Sequence, residues 1–334
     1  MVFARVRLAA RNLRLAARPL RGLAGSVHCA AVAEALALAA RRVGAATVLF
    51  GPRGGKYPDG NSLLVRGPEE TLLIDPSSGL LPRRHELPPV DRIVLSHCHE
   101  DHVAGLFLFP HAACHVHEAD RLGLNSLDDF LAIYGFPEPI ASPWRRALVE
   151  QFHYAPRPDA RGFAGEQAFE LGGSVRVHAI PAPGHTRGHC VLLVEPDGAL
   201  YLGDIDLSSF GPYYGDAWSS LVDFEKSLAL VREIAASVWI TFHHIGVIDD
   251  RATFLARLDR YAAVIRDREQ RLVAYLAEPH TLAEVAAHRF VYRPGDAVAF
   301  ADPVERRSMA QHIDRLRADG RVEEVEPGRF HARS

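Results

Sequence analysis

Between positions 46 and 95 the apolar residues come in short runs broken by glycine, proline and aspartate, which is the spacing of strands joined by turns. The runs are Thr47 to Phe50, Ser62 to Val65, Thr71 to Ile74 and Arg92 to Leu95, with turns at Tyr57-Pro58-Asp59-Gly60 and Gly67-Pro68. Val103 to Phe109 reads as a helix. Further strands are predicted at Val175 to Ile180, Val191 to Val194, Leu200 to Leu202 and Val238 to Phe242, with a helix over Asp223 to Ala235 before the last. Two strand-rich halves with interspersed helices predict an α/β fold of layered sheets covered by helices.

The texture changes after Asp249 and Asp250, either of which can cap a helix. Phe254, Leu258, Tyr261, Ile265, Leu272 and Leu276 then mark one face of a long amphipathic helix, predicted to link two domains over 251–278. From Pro279 the chain has its own punctuation. Thr281 with Glu284 forms a capping box, Met309, Ile313 and Leu316 line a second helix, and Gly320 is placed to stop it. Val322 to Ala332, with Pro327-Gly328 at its middle, reads as a hairpin, so 279–334 is expected to be a small winged-helix-like domain. The opening segment, 1–45, carries Arg5, Arg7, Arg11, Arg14, Arg18, Arg21, Arg41 and Arg42 against the single acid Glu34. We read it as an alanine-rich helical extension or an over-long start, ahead of an organelle transit peptide or a membrane-surface helix. The main domain is then 46–250.

Composition narrows the setting. A chain of 334 residues that is 48% hydrophobic can bury a full core plus an appendage. A formal charge of -3 gives no whole-chain pull toward nucleic acid or anionic lipid. Cys29, Cys98, Cys114 and Cys190 show no CxxC spacing and read as free thiols of a cytoplasmic protein. No apolar run reaches the ~18 residues of a membrane span.

The strongest chemical signal is Ser96-His97-Cys98-His99-Glu100-Asp101-His102, three imidazoles and two carboxylates directly after a strand. These donors suit Zn²⁺, with Mn²⁺ or Fe²⁺ as alternatives, and alternation sends His97 and His99 to one side while Asp101 and His102 begin a turn. More candidate ligands follow at strand ends: His185 in Pro183-Gly184-His185-Thr186, Asp204 in Leu202-Gly203-Asp204, and the pair His243-His244 after Phe242. Cys98 and Cys190 alternate with outward-pointing ligands and are expected to pack in the core.

HxHxDH, then GHT, then GD, then a strand-end histidine resembles the ordered ligand set of the metallo-β-lactamase superfamily, over about Ala46 to Asp250. The resemblance implies a four-layer αβ/βα sandwich holding two divalent metal ions. It places His97, His99 and His185 on one ion, Asp101, His102 and a terminal histidine on the other, and Asp204 between them. Many members show a histidine followed by glycine at the last ligand, so His244 is favoured here, with His243 as the alternative. Asp101 is expected to orient the metal-activated water or take its proton, which makes it the catalytic candidate. Asp206, Tyr213, Tyr214 and Asp216 follow Asp204, with Tyr213 and Tyr214 the candidates for the substrate pocket.

The resemblance fixes the metal site better than the substrate. The layout of metal domain, long helix and winged-helix-like end is similar to glyoxalase II-like hydrolases and to an endoribonuclease of the same superfamily. A metal-bridging hydroxide attacking a small-molecule ester, thioester or lactone is the expected reaction. Three alternatives stay open: an endoribonuclease or phosphodiesterase, a mononuclear-iron oxidoreductase like the persulfide dioxygenases, and a DNA-binding regulator acting through the C-terminal module. Glu323, Glu324 and Glu326 in the hairpin repel phosphate and disfavour a nucleic-acid partner. The module is read instead as a packing or homodimerisation element bordering the active site.

Overall fold

The computed structural model describes residues 40–333. The first sheet runs in chain order from β1 to β7. β1 (Ala40–Val43), β2 (Ala46–Leu49), β3 (Ser62–Arg66) and β4 (Thr71–Ile74) form an antiparallel meander. β5 (Arg92–Val94), β6 (Ala113–His117) and β7 (Arg161–Phe163) then add in parallel, so each needs a crossover. Those crossovers carry α1 (Glu100–Val103), α2 (Glu118–Arg121), α3 (Leu127–Tyr134) and α4 (Glu138–Glu150).

The second sheet has the order β13-β12-β11-β10-β9-β8. Its strands are β8 (Gln167–Glu170), β9 (Arg176–Pro181), β10 (Cys190–Glu195), β11 (Ala199–Tyr201), β12 (Val238–Ile240) and β13 (Val247–Ile248), with α5 (Leu221–Glu233) crossing between β11 and β12, its one parallel pair. Val48, Leu63, Val65 and Leu72 of the first sheet meet Val177, Leu192, Val194 and Ile240 of the second in a shared core. The strands are apolar on their other faces too: Leu64 and Leu73 pack under α3 and α4, while Val191, Leu200 and Trp239 pack under α5. Burial on both faces makes their sequences continuous apolar runs rather than alternating ones, and each fully buried leucine contributes about 1.5–3 kcal/mol. The result is helix, sheet, sheet, helix.

α6 (Arg251–Tyr275) belongs to two cores. Asp250 caps it, Phe254, Leu258, Tyr261 and Ile265 cover the second sheet, and Leu272 joins Val285, Met309, Ile313 and Leu316 in a separate cluster. Around that cluster lie β14 (His280–Thr281), α7 (Leu282–His288), α8 (Ala301–Ala318), β15 (Val322–Glu326) and β16 (Arg329–Ala332), with the strands ordered β14-β16-β15. α7 opens on a complete Thr281/Glu284 capping box. Among the described residues no helix is long and apolar enough to cross a membrane.

Several expectations shift. Pairing begins at Ala40, inside the segment assigned to the extension, because Arg41 and Arg42 sit on an edge strand whose neighbour is β2. The rest of that extension, residues 1–39, lies outside the described residues. The predicted helix Val103 to Phe109 is instead the single turn α1 followed by a 3-10 turn at Leu106–Leu108. Gly105 lies between them with its Cα against the 76–77 backbone, since a Cβ there would come within 2.8 Å of the Ser77 carbonyl oxygen. β6, β7 and β8 are strands that the apolar pattern did not mark.

Candidate metal centre

Each candidate ligand leaves the end of a strand. β5 runs into the Ser96 to His99 loop, and α1 then turns Asp101 and His102 toward the same space. His185 follows Gly184, whose φ of 130° and close approach to α5 leave no room for a side chain: a Cβ would stand 2.2 Å from the Phe224 nitrogen. Asp204 follows β11 and Gly203, another left-handed glycine at φ 54°. His243 follows β12.

The donors converge in two groups, His97, His99, His185 and Asp204, and Asp101, His102 and His243, with ligand atoms in each group within 4.8 Å of one another. His99 Nδ1 lies 3.1 Å from His97 Nε2 and 2.9 Å from His185 Nε2. Asp204 faces both groups: Oδ2 is 3.1 Å from His185 Nε2, and Oδ1 is 3.0 Å from His102 Nε2 and 3.7 Å from His243 Nε2. Asp101 Oδ2 is 3.0 Å from His243 Nε2.

The outer nitrogens of four of the five rings are hydrogen-bonded, and that of His99 faces a carboxylate. His102 Nδ1 donates to Asp75 Oδ2 at 2.8 Å, His185 Nδ1 to the Tyr213 carbonyl at 3.0 Å, and His243 Nδ1 to the Gly55 carbonyl at 2.8 Å. Ser96 Oγ donates to Asp75 and so accepts from His97 Nδ1 at 3.0 Å. His99 Nε2 points at Asp216 Oδ2, 3.3 Å away. With protons fixed on the outside, the inner nitrogens present lone pairs to one another at about hydrogen-bond distance. That repels unless a cation or an added proton lies between them. Tetrahedral bonds of ~2.0–2.1 Å to one ion put ligand atoms roughly 3.3 Å apart, so the three-nitrogen, one-oxygen set fits a divalent ion such as zinc.

The electrostatics say the same. Burial opposes charge on His102, yet Asp204, Asp75 and Asp101 outweigh it and hold the ring well above the usual histidine range. His99 and His243 are pushed up to about 9 against burial, His99 by Asp216 and His243 by Asp204 and then Asp101. His97, facing other imidazoles, is driven well down by burial and by His102. Burial works against Asp204, but His102, His243 and His185 pull its carboxyl well below normal. Burial opposes charge on Asp101 too, but His102 and then His243 pull its carboxyl down, so both carboxylates favour positive charge at the centre.

Three buried acids stand behind the ligands, and the sequence patterns did not flag any of them as such. Asp75, at the end of β4, accepts from the Ser96 backbone, Ser96 Oγ, His102 and Tyr201. Asp120 in α2 accepts from Cys98 N, Thr186 Oγ1 and Gly188 N, tying the loop of His97 and His99 to that of His185. Glu100 accepts from Tyr57 and Tyr134 at 2.8 and 2.5 Å. A signal existed for Asp75, a charge closing a continuous apolar run; none existed for Asp120. His189 supports Asp204, accepting its backbone N–H at 3.1 Å.

The structure brings together His97, His99, Asp101, His102, His185 and Asp204, but not His244. That preference is corrected to His243. His244 sits at φ 59° in the turn closed by Thr241 and Gly246, which rotates its side chain outward and leaves it exposed, whereas His243 is the last residue facing in. Tyr213 borders the site, its ring 5.8 Å from His185 and its hydroxyl donating to Asp216. Tyr214 does not: it is buried, and its hydroxyl meets His312 of α8 at 2.9 Å. Burial lifts Asp206 to about 6, and its carboxylate accepts from Ser208 N. Cys98 and Cys190 lie fully in the core, as alternation required.

Known proteins share this fold. The sequence pattern of the metallo-beta-lactamase superfamily matches residues 57–262, more than half of the chain. A solved metallo-beta-lactamase family protein from Thermus thermophilus is 26% identical, with TM-score 0.64, covering 86% of this chain and 99% of its own. A beta-lactamase domain protein from Burkholderia ambifaria is 18% identical with TM-score 0.63, covering 88% and 93%, and shares the fold. Among curated relatives, the beta-lactamase-like protein 2 homolog of Caenorhabditis elegans is 24% identical over 61% of this chain. The putative transcription factor avaE of Aspergillus versicolor is 29% identical over 34% of it. The matches span 57% and 32% of those two relatives' lengths. The chain belongs to the metallo-beta-lactamase superfamily, whose members are mostly hydrolases.

Proposed function

We propose that the chain is a metal-dependent hydrolase of a small-molecule ester, thioester or lactone. His97, His99 and His185 would hold one divalent cation, Asp101, His102 and His243 a second, and Asp204 both, with zinc the best match to this donor set. The observation that carries the reading is the convergence of five imidazoles and two carboxylates, seven donors aimed inward, with the outer nitrogens of four rings hydrogen-bonded and that of His99 facing Asp216. Bound cations supply Lewis acidity and bring the pKa of a water toward neutrality.

The rest is the work of side chains. Asp101, buried and paired with His243, is placed to orient an attacking water and accept its proton. No cysteine among the described residues competes as nucleophile: Cys98, Cys114 and Cys190 are buried, and burial pushes the Cys98 thiol well up and Cys114 to about 12. A seven-donor site favours two cations over the single iron of a dioxygenase.

We read the C-terminal unit as winged-helix-like, from its order of helix, strand, helix, helix and hairpin. Three of its arginines are engaged within the chain, which argues against a phosphate-binding role: Arg307 with the Tyr134 and Gly135 carbonyls, Arg315 with Glu225 and Glu269, Arg317 with Glu324. A cytoplasmic setting and a homodimer through this unit remain part of the proposal.

The test is elemental analysis of the purified full chain with a thioester, lactone, ester and phosphodiester panel, for wild type, His243→Ala and His244→Ala. His243→Ala should lose one of two cations and about 100-fold or more in turnover, while His244→Ala keeps both. Two cations and full turnover in His243→Ala would overturn the assignment.

A further inference from the structure

Beyond the ligands, the walls of the site come from stretches far apart in the chain. Tyr57 precedes β3, Phe136 and Trp144 belong to the α3–α4 insertion, Phe210 lies in the loop after Asp204, and Tyr292 and Phe300 sit on the connection from α7 to α8. Their rings form one continuous series. Tyr57 and Trp144 each lie 6.1 Å from Phe152, Trp144 and Phe136 each lie 5.5 Å from Phe300, Phe300 lies 6.4 Å from Tyr292, and Tyr292 lies 5.6 Å from Phe210. The series touches the metal centre, with Tyr57 6.3 Å from His243 and Tyr134, stacked on Phe136, 5.4 Å from His99. Tyr57, Phe136, Tyr292 and Phe300 are only partly buried and Phe210 is 38% exposed, so some apolar ring surface stays accessible beside a charged site.

The C-terminal unit fixes its share of this wall with unusual care. Glu305 of α8 is 0% exposed, and its carboxylate accepts the backbone N–H groups of Phe290, Val291 and Tyr292 at 3.0, 2.9 and 2.7 Å. Three charge-assisted bonds on one desolvated carboxylate hold the segment that carries Tyr292. α8 is itself anchored to the metallo-β-lactamase domain through Arg307 on Tyr134 and Gly135, and through Gln311 on Tyr214. The Tyr292 phenol, lifted first by burial and then by the charge of Asp216, stands in the same polar group as Tyr213. Tyr213 in turn donates to Asp216, and Asp216 faces His99.

We propose that the active site is shared between the two units: Tyr292 offers its hydroxyl to the substrate, and the accessible parts of the Tyr57, Phe136, Tyr292 and Phe300 rings receive an aryl or alkyl acyl group. The substrate class is then an amphipathic carboxylic ester, thioester or lactone, not a small hydrophilic or polyphosphate one; Glu100 and Asp216 near the same wall repel phosphate. The inference rests on the hydrolase reading for its reaction and on Glu305 and the ring series for its site.

The experiment uses the metal-loaded full chain as wild type, Tyr292→Phe and Glu305→Gln. Calorimetric binding of phenylacetate is compared with acetate, and kcat and KM are measured on the matching phenylacetyl and acetyl esters. Phenylacetate should bind about tenfold tighter than acetate. Tyr292→Phe should weaken phenylacetate about fivefold with metal content unchanged, and Glu305→Gln should do the same while speeding amide exchange at 290–292. Tyr292→Phe removes one oxygen and keeps the ring, so it decides the question where Glu305→Gln fails to fold. Equal binding of the two acids, or wild-type binding by Tyr292→Phe, overturns the inference. Tyr292-dependent binding without hydrolysis of any ester sinks the hydrolase reading and leaves the shared site standing; hydrolysis untouched by Tyr292→Phe does the reverse.

Discussion

Asp75→Asn separates the charge that orients His102 from the backbone that carries it. Asp75 is fully buried at φ 48°, a left-handed conformation that asparagine tolerates as well as aspartate, so the chain path is retained. Four donors meet its two oxygens: Ser96 N on Oδ1 at 2.7 Å, and Ser96 Oγ, His102 Nδ1 and Tyr201 OH on Oδ2 at 2.5, 2.8 and 3.1 Å. An amide has one oxygen. Keeping it at the Oδ2 position turns the NH₂ against the Ser96 N–H, leaving a buried backbone donor unpaired at about 1–3 kcal/mol. The opposite rotamer faces three donors and is worse. Loss of charge assistance to His102 adds about 1 kcal/mol, for roughly 2–4 kcal/mol in all.

Two readouts follow from that number. Thermal unfolding of the metal-free protein should fall by about 5–10 °C, since 1 kcal/mol shifts a domain of this size by roughly 2–4 °C. Chelator competition should show affinity for the cation on Asp101, His102 and His243 weakened by about 10–100-fold, the usual consequence of losing the carboxylate behind a ligand imidazole. A midpoint within about 2 °C of wild type together with unchanged chelator resistance would show that His102 is oriented by something other than Asp75.

Gly184→Ala places a methyl 2.2 Å from Phe224 N and 2.3 Å from its Cα at a φ of 130°, so the turn must move and His185 with it. Denaturant midpoints should report a loss above about 2 kcal/mol and elemental analysis fewer than two cations; wild-type values for both would contradict the packing described. Asp120→Ala strands three donors at once, and should release the first cation to chelators faster while sparing the α6 to α8 unit from increased amide exchange. Glu269, 16% exposed, is held at about 2 by its hydrogen bond from His312 and by Arg315. Because its folded value is depressed, its stabilisation is present above about pH 4.5 and is lost as the pH falls toward 2, up to about 3 kcal/mol. Melting curves from pH 5 to 2 should fall less steeply for Glu269→Gln than for wild type, and parallel falls would remove Glu269 as the cause.

What the sequence revealed and what it hid divide along a physical line. β3, β4 and β5 were legible because apolar runs end at turn residues, and the ligands were legible because metal chemistry clusters rare residue types in a short loop. The choice between His243 and His244 was not, since it depends on a left-handed turn at His244 rather than on composition. β6 to β8 escaped because their residues include His115, Gln167 and Glu170, whose pairing is set by partners elsewhere in the sheet. Asp120 escaped for the same reason: its three donors lie 22, 66 and 68 residues away.

That last case explains how the site is held before any cation enters. The ligands come from four separate strand ends, and nothing local fixes one loop against another. Asp120 bridges two of these loops, His189 fixes Asp204 from the residue before β10, and Gly55, from the turn before β3, receives His243. These cross-links are hydrogen bonds to a different loop, all but that from Thr186 Oγ1 involving a backbone group, so moving one ligand strands a donor or acceptor in another. The desolvation of Asp75 and Asp120 is offset by seven such donors between them. A centre built this way is set by the folded chain, and cation binding chooses among protons and metals rather than among shapes.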